Sequence, residues 1–286
     1  MRQGPVGYPV GPVTSIPTPS VLAEGKLLVD HPADGVARLT ISNPEKRNAL
    51  DHPILDAITA SLGQMRLDPD TRCVVVTGAQ GMFSAGYEIG EIADGKFQAE
   101  AERLVAHPFT EAIEALEAFP HPTLAALTGH TIGGGLELAL ACDLRVAAEG
   151  IKLGMPPAKL GLVYSHTGLR RFLDAIGAPR TRELFLLGSY IHADTALGWG
   201  LVNRVAPAEQ LESIALELAE EMAGNAPLSQ LGNKRVIAEL LEAEGPLSTE
   251  VESELIELRR ASFASHDLRE GMSAFAEKRV PRWQGE

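Results

Sequence analysis

Apolar residues along the chain follow two periods. Over residues 52–67 they recur at helical spacing, with Ile54, Leu55, Ile58, Leu62 and Met65 on one face and Asp51 placed to cap the start. Cys73-Val74-Val75-Val76-Thr77 is a short β-branched run, as expected of a strand buried on both faces. Two earlier segments, 26–29 and 36–41, read as paired strands joined by a turn at Asp34-Gly35. Residues 109–119 predict a helix with Ile113 and Leu116 inward, and 122–127 and 144–148 predict further buried strands. Short strands alternating with helices predict an α/β fold. From Pro179 onward the pattern is helical only, at about residues 179–187, 193–199, 208–223, 228–241, 248–265 and 268–278. Pro179, Pro207, Pro227 and Pro246 stand at starts and Gly188 at an end. The first 25 residues repeat Pro and Gly without an apolar period, and predict a flexible tail outside the fold.

One stretch departs from simple patterning. The apolar run 122–127 gives way to Gly133-Gly134-Gly135, followed by Leu136, Glu137, Leu138, Ala139 and Leu140. Three glycines where a strand becomes a helix allow close approach to the backbone. The first turn of a helix carries N–H groups without intrahelical acceptors, and its dipole favours negative charge. Glu137 is a carboxylate in an otherwise apolar helix, which is costly without a partner or a task. Packing alone, with Glu137 serving the helix dipole, is the competing reading. No phosphate-loop or dinucleotide fingerprint is present.

Composition narrows the partners. The 286 residues suit one large domain, or a domain with an appendage, and 45% hydrophobic content is ample for a core. A net charge of −13 argues against nucleic acid or anionic membranes as general partners. Cys73 and Cys142 lie in apolar runs and read as buried free thiols of a reducing compartment. With no secretory pattern and no bilayer-spanning run, the expected location is cytoplasmic. No His/Cys cluster has ligand spacing, so neither a metal nor a separate cofactor is expected.

The segment Gly133 to Asp143 resembles the signature of the crotonase (enoyl-CoA hydratase/isomerase) superfamily, and the likeness runs from about Lys26 to the C-terminus. The resemblance implies a ββα spiral core at residues 26–225, after the tail at 1–25, and a C-terminal helical oligomerisation region at 226–286. It implies an acyl-CoA substrate, no cofactor beyond it, and a homotrimer or dimer of trimers. In such proteins two backbone N–H groups form an oxyanion hole for a thioester enolate. Phe83-Ser84-Ala85-Gly86-Tyr87-Glu88-Ile89 matches the first loop, with Glu88 in place of the usual Asp. The N–H groups of Tyr87 and Gly134 are therefore the expected donors. Preorganised donors of this kind are worth roughly 3–4 kcal/mol each.

The acid–base residues differ from those of a two-glutamate hydratase. Glu137 matches the first glutamate, and Pro157 stands where the second belongs. Hydration needs one group to take a proton and one to give it, so the resemblance points away from ordinary hydration and simple isomerisation. The stretch Leu162 to Arg171 resembles decarboxylase-like members, with Tyr164 at a matching tyrosine. The candidate catalytic side chains are Glu137, Tyr164, Tyr87 and His166. Against this, Tyr164 could be a packed aromatic and His166 a structural residue. For CoA, the resemblance points to Lys46, Arg47, Ala49 and Ala85, and to Phe275 and Lys278 on one face of the last helix. The leading expectation is a lyase, decarboxylase-like or an atypical hydratase. A non-catalytic acyl-CoA-binding homologue is the alternative.

Overall fold

The computed structural model describes residues 19–88, 105–225, 227–242 and 249–279. Residues 1–18 of the expected tail, Ile89 of the first loop and the helix start at Pro246 lie outside the described residues. Strand β1 (Ser20–Leu22) pairs antiparallel with β2 (Leu27–Ala33), so the folded chain begins before the boundary expected at residue 25. All three side chains of β1 are exposed, so this edge strand has no apolar alternation to announce it. β2 turns at Asp34-Gly35 into β3 (Val36–Ile41), with Gly35 at φ +75°.

Helix α1 (His52–Leu67) starts where the Asp51 side chain accepts a hydrogen bond from the Ile54 N–H at 3.0 Å. β4 (Cys73–Gly78) follows, buried throughout, then β5 (Met82–Ser84). After a π turn at Val105–Phe109 come α2 (Thr110–Glu117), β6 (Thr123–Leu127), β7 (His130–Ile132), α3 (Gly134–Leu140) and β8 (Leu144–Ala148). β9 (Lys152–Gly154) leads to the short α4 (Pro157–Leu160) and the long α5 (His166–Arg182). The chain continues through β10 (Ile191–His192), α6 (Ala193–Trp199), β11 (Arg204–Ala206), α7 (Leu211–Gly224), α8 (Pro227–Glu242), α9 (Thr249–Ala264) and α10 (His266–Ala276).

Two sheets share the strands. The larger has the order β1-β2-β3-β4-β6-β8-β11, parallel from β3 onward, and the smaller the order β10-β9-β7-β5. β4 and β5, β6 and β7, and β8 and β9 each place one strand in the large sheet and the next in the small one. The chain therefore winds as a coil of repeated strand–strand–helix turns. β10 and β11 add an edge to each sheet, which corrects the expectation of a strand-free chain after Pro179. They hold two and three residues, too few for a period to register.

The core lies between the large sheet and its helices, with Leu39, Ile54, Leu55, Val74, Val76, Phe83, Leu124 and Leu138 fully buried. A second, smaller apolar cluster forms where Phe263 and Leu268, on α9 and α10, meet Leu160, Leu162, Met272 and Tyr87. The C-terminal helices thus reach back to the loop after β5. Among the described residues, no helix is long and apolar enough to cross a membrane.

Candidate active site

Each of the three glycines before Glu137 has its own steric reason. Gly133 sits at φ 56°, ψ −128°, a conformation that side chains disfavour. A Cβ on Gly134 would come 2.6 Å from Tyr87 Cε1, and one on Gly135 would come 2.6 Å from Ser84 Cβ. The glycines therefore let the loop after β5 lie directly on the start of α3. Ser84 shapes that loop by accepting a hydrogen bond from the Gly86 N–H at 3.1 Å. A Cβ on Gly86 would stand 3.1 Å from the Gly134 nitrogen.

The two expected oxyanion donors flank this contact. Gly134 is the first residue of α3, where an N–H has no acceptor inside the helix. Tyr87 forms a parallel bridge with Leu50, whose bonds run from the Leu50 N–H to Gly86 O at 2.7 Å and from the Glu88 N–H to Leu50 O at 3.0 Å. The backbone alternates along such a bridge, so the Tyr87 N–H points away from Leu50.

The expected CoA loop is fastened to the same place. The Ala85 N–H donates to Arg47 O at 3.0 Å, and Lys46 Nζ lies 3.2 Å from Glu88 Oε1. Asn48, fully buried, donates from Nδ2 to Ala79 O at 2.9 Å and to Met82 O at 2.6 Å. Its φ of 55° suits asparagine. Lys46, Arg47, Ala49 and Ala85 thus gather beside the loop after β5, and Asn48, not among the expected residues, is the clamp. Phe275 is 66% exposed near the end of α10. Lys278 lies beyond the helix with φ 54°, so the two do not share a helical face as expected. The left-handed turn that ends the helix redirects the chain there.

Glu137 occupies the first turn of α3 with only 2% of its surface exposed. Its Oε2 accepts a short hydrogen bond from the Tyr164 hydroxyl, and its Oε1 accepts one from Arg171 Nη1 at 3.2 Å. Burial pushes the carboxyl above its ordinary pKa, and the Tyr164 hydrogen bond and the Arg171 charge oppose that rise only in part. Burial, and then the Glu137 charge, push Tyr164 well above its ordinary value. Tyr164 is therefore a neutral donor at neutral pH. The Tyr87 hydroxyl lies 3.3 Å from that of Tyr164. Because Tyr164 has spent its proton on Glu137, Tyr87 is the donor of that pair.

Aromatic rings close this wall. Phe109 meets Tyr87 edge-on at 4.6 Å between centroids, and Phe185 lies 5.4 Å from Tyr164. Gly168 on α5 completes the fit, since a Cβ there would stand 2.5 Å from Tyr164 Cε1 and 2.9 Å from Glu137 Oε1. His166 is the half-buried first residue of α5, next to the capping Ser165. Pro157 is buried at the first position of α4. Arg171 was not among the expected residues. Its signal was the requirement that a buried carboxylate be paired, with Arg170-Arg171 one helix away. Among the described residues, no three His, Cys, Asp or Glu side chains gather as a metal site. A cavity of about 380 Å³ lies elsewhere, between α7 and strand residues Arg38, Thr40, Val75 and Thr77.

The profile of the family described as enoyl-CoA hydratase/isomerase matches residues 32–286. The chain belongs to that family. It is 38% identical over 255 residues to a probable enoyl-CoA hydratase of Bacillus subtilis, covering 88% of this chain and 96% of the relative. It is 32% identical to the 2,3-dehydroadipyl-CoA hydratase of Escherichia coli, over 87% of this chain and 95% of that one. Among solved structures, methylmalonyl-CoA decarboxylase in complex with 2-nitronate-propionyl-CoA superposes with a TM-score of 0.82 at 28% identity, covering 91% of this chain and 99% of that one. An enoyl-CoA hydratase from Bacillus anthracis gives a TM-score of 0.72 at 30% identity, covering 91% of this chain and 100% of that one. The strand–strand–helix coil described above is thus the crotonase fold, as the resemblance implied.

Proposed function

We propose that this family member acts on an acyl-CoA thioester through an enolate, as a lyase of decarboxylase-like type. The thioester oxygen would lie between the N–H groups of Tyr87 and Gly134, which strengthen their hold as negative charge develops. In a malonyl-type substrate the bond from the α-carbon to the carboxylate breaks. Its electron pair passes into the enolate, carbon dioxide leaves, and a proton is then delivered to the α-carbon. The Tyr164–Glu137 pair would deliver it, Tyr164 giving its proton to the carbon as a protonated Glu137 replaces it.

The observation that carries this reading is the pairing of Glu137. Its two oxygens are taken by Tyr164 and Arg171, and the family resemblance puts Pro157 where a second glutamate would stand. A lone paired carboxylate beside a neutral tyrosine suits protonation of an enolate better than the paired carboxylates that activate water. The hydratase names of the relatives favour a second reading, an atypical hydratase in which Tyr164 stands in for the missing glutamate. Assembly as a trimer, with exposed Phe275 and Lys278 serving the CoA of a neighbouring subunit, belongs to the same proposal. Turnover of malonyl-, methylmalonyl- and crotonyl-CoA tests it. Decarboxylation faster than hydration supports the lyase, and hydration alone supports the second reading. Tight binding of all three without turnover leaves a non-catalytic acyl-CoA-binding protein.

A further inference from the structure

Arg171 makes three hydrogen bonds with two carboxylates. Its Nε lies 2.6 Å from Glu117 Oε1 and its Nη2 2.8 Å from Glu117 Oε2, a two-pronged pairing. Its Nη1 lies 3.2 Å from Glu137 Oε1. The guanidinium is planar, so a fork fixed at one edge also fixes the plane in which Nη1 donates. Side-chain exposure falls inward along the row, from 41% at Glu117 through 17% at Arg171 to 3% at Glu137. Glu117 is the last residue of α2, Arg171 lies on α5 and Glu137 on α3, so the row fastens three helices.

We propose that Arg171, braced by Glu117, is a positioning residue that holds Oε1 of Glu137 and so commits Oε2, with the Tyr164 hydroxyl, to the acyl pocket. The inference rests on Glu137 and Tyr164 being the acid–base pair. Without the brace the Glu137 carboxyl can rotate, and either oxygen can meet Tyr164. Without the Arg171 charge, burial acts on the carboxyl with less opposition. Arginine does not release its proton, so the row ends proton traffic at Glu137 and leaves Tyr164 as its exit. The charged or titratable groups acting most strongly on Glu137 come from three sides: Tyr164 and Arg171, Glu117, and Tyr87.

The test follows the Glu137 carboxyl by its infrared band, taken as the difference between each protein and its Glu137→Gln partner across pH. The proteins are the wild type, Arg171→Met, Arg171→Lys and Glu117→Gln. Deuterium exchange at the α-carbon of propionyl-CoA in D₂O is followed in parallel. In Arg171→Met the Glu137 midpoint is expected to rise and exchange to fall on the order of 10²-fold, as for a misplaced catalytic group. Arg171→Lys should recover part of both. Glu117→Gln separates brace from charge, because loss of a nearby negative charge alone would lower the Glu137 midpoint. A rise supports the brace, and a fall overturns it. If Arg171→Met does not fold, Arg171→Lys and Glu117→Gln carry the same two readouts. Unchanged midpoints and exchange in folded variants overturn the proposal. Wild-type protein that binds propionyl-CoA but exchanges no deuterium overturns the enolate reading instead, and the infrared midpoints still decide the role of Arg171.

Discussion

The two walls of the candidate site are made of different material. One wall is backbone: Gly86, Tyr87 and Gly133 to Gly135 form it, with the N–H groups of Tyr87 and Gly134 as the expected donors, since those of Gly86 and Gly133 already bond Ser84 Oγ and Gly154 O. A Cβ would strike Tyr87 from Gly134 and Ser84 from Gly135 at 2.6 Å, while Gly86 and Gly133 stand at positive φ. The other wall is side chain: Glu137, Tyr164, Arg171 and Glu117 work through hydrogen bonds that link α3, α5 and α2. A backbone wall tolerates almost no local variation, because any added atom displaces the donor. A side-chain wall can change its chemistry by exchanging one residue. The contrast teaches why members of one fold can share the anion-holding step and differ in the proton-handling step.

The largest effect is expected on the side-chain wall. Glu137→Gln should lower turnover by about 10²–10⁴-fold while acyl-CoA binding persists, measured as kcat against Kd. Gly86→Ala attacks the backbone wall. It combines a φ of +95° with a Cβ 3.1 Å from the Gly134 nitrogen. The expected loss is about 10²–10³-fold in kcat, with Glu137 titration unchanged. A shift in that titration would mean that the two walls are not separable.

Tyr164→Phe should cost about 10²-fold, the low end for an acid–base group. It also removes the hydrogen bond that opposes the raised pKa of Glu137. The acid limb of the pH–rate profile should therefore move to higher pH, and a limb that stays in place would detach Tyr164 from Glu137.

The smallest effect concerns stability. The folded-state pKa of Glu137 lies above its unfolded value because of burial. The stability it contributes is present below the unfolded pKa and is lost as pH rises through the folded one. Wild-type protein should therefore lose stability relative to Glu137→Gln as pH rises from the ordinary carboxylate range towards neutrality. Thermal unfolding of both proteins over that range checks the sign, and parallel curves would contradict it.

The backbone wall was legible in the sequence and the side-chain wall only in part. Glycines at a strand-to-helix junction and the Phe83–Tyr87 loop carry their meaning in local order, as do Asp51 as a helix cap and the buried run at β4. Glu137 announced itself as a carboxylate among apolar neighbours. Its partners did not, because Arg171 and Glu117 lie 34 and 54 positions from the residues they bond, Glu137 and Arg171. No local period encodes a pairing over that distance. Asn48 was missed for the same reason, since its acceptors lie on the far side of β4. β7, β9, β10 and β11 escaped because strands of two or three residues are set by ladder partners rather than by their own pattern.

The central claim is that the two walls together make an acyl-CoA enolate. Incubation of the intact protein with propionyl-CoA in D₂O, followed by NMR of the α-carbon, tests this without assuming a particular overall reaction. The account predicts deuterium at that carbon with wild-type protein and little or none with Glu137→Gln. Propionyl-CoA that binds the wild type yet keeps all its α-protons would contradict it.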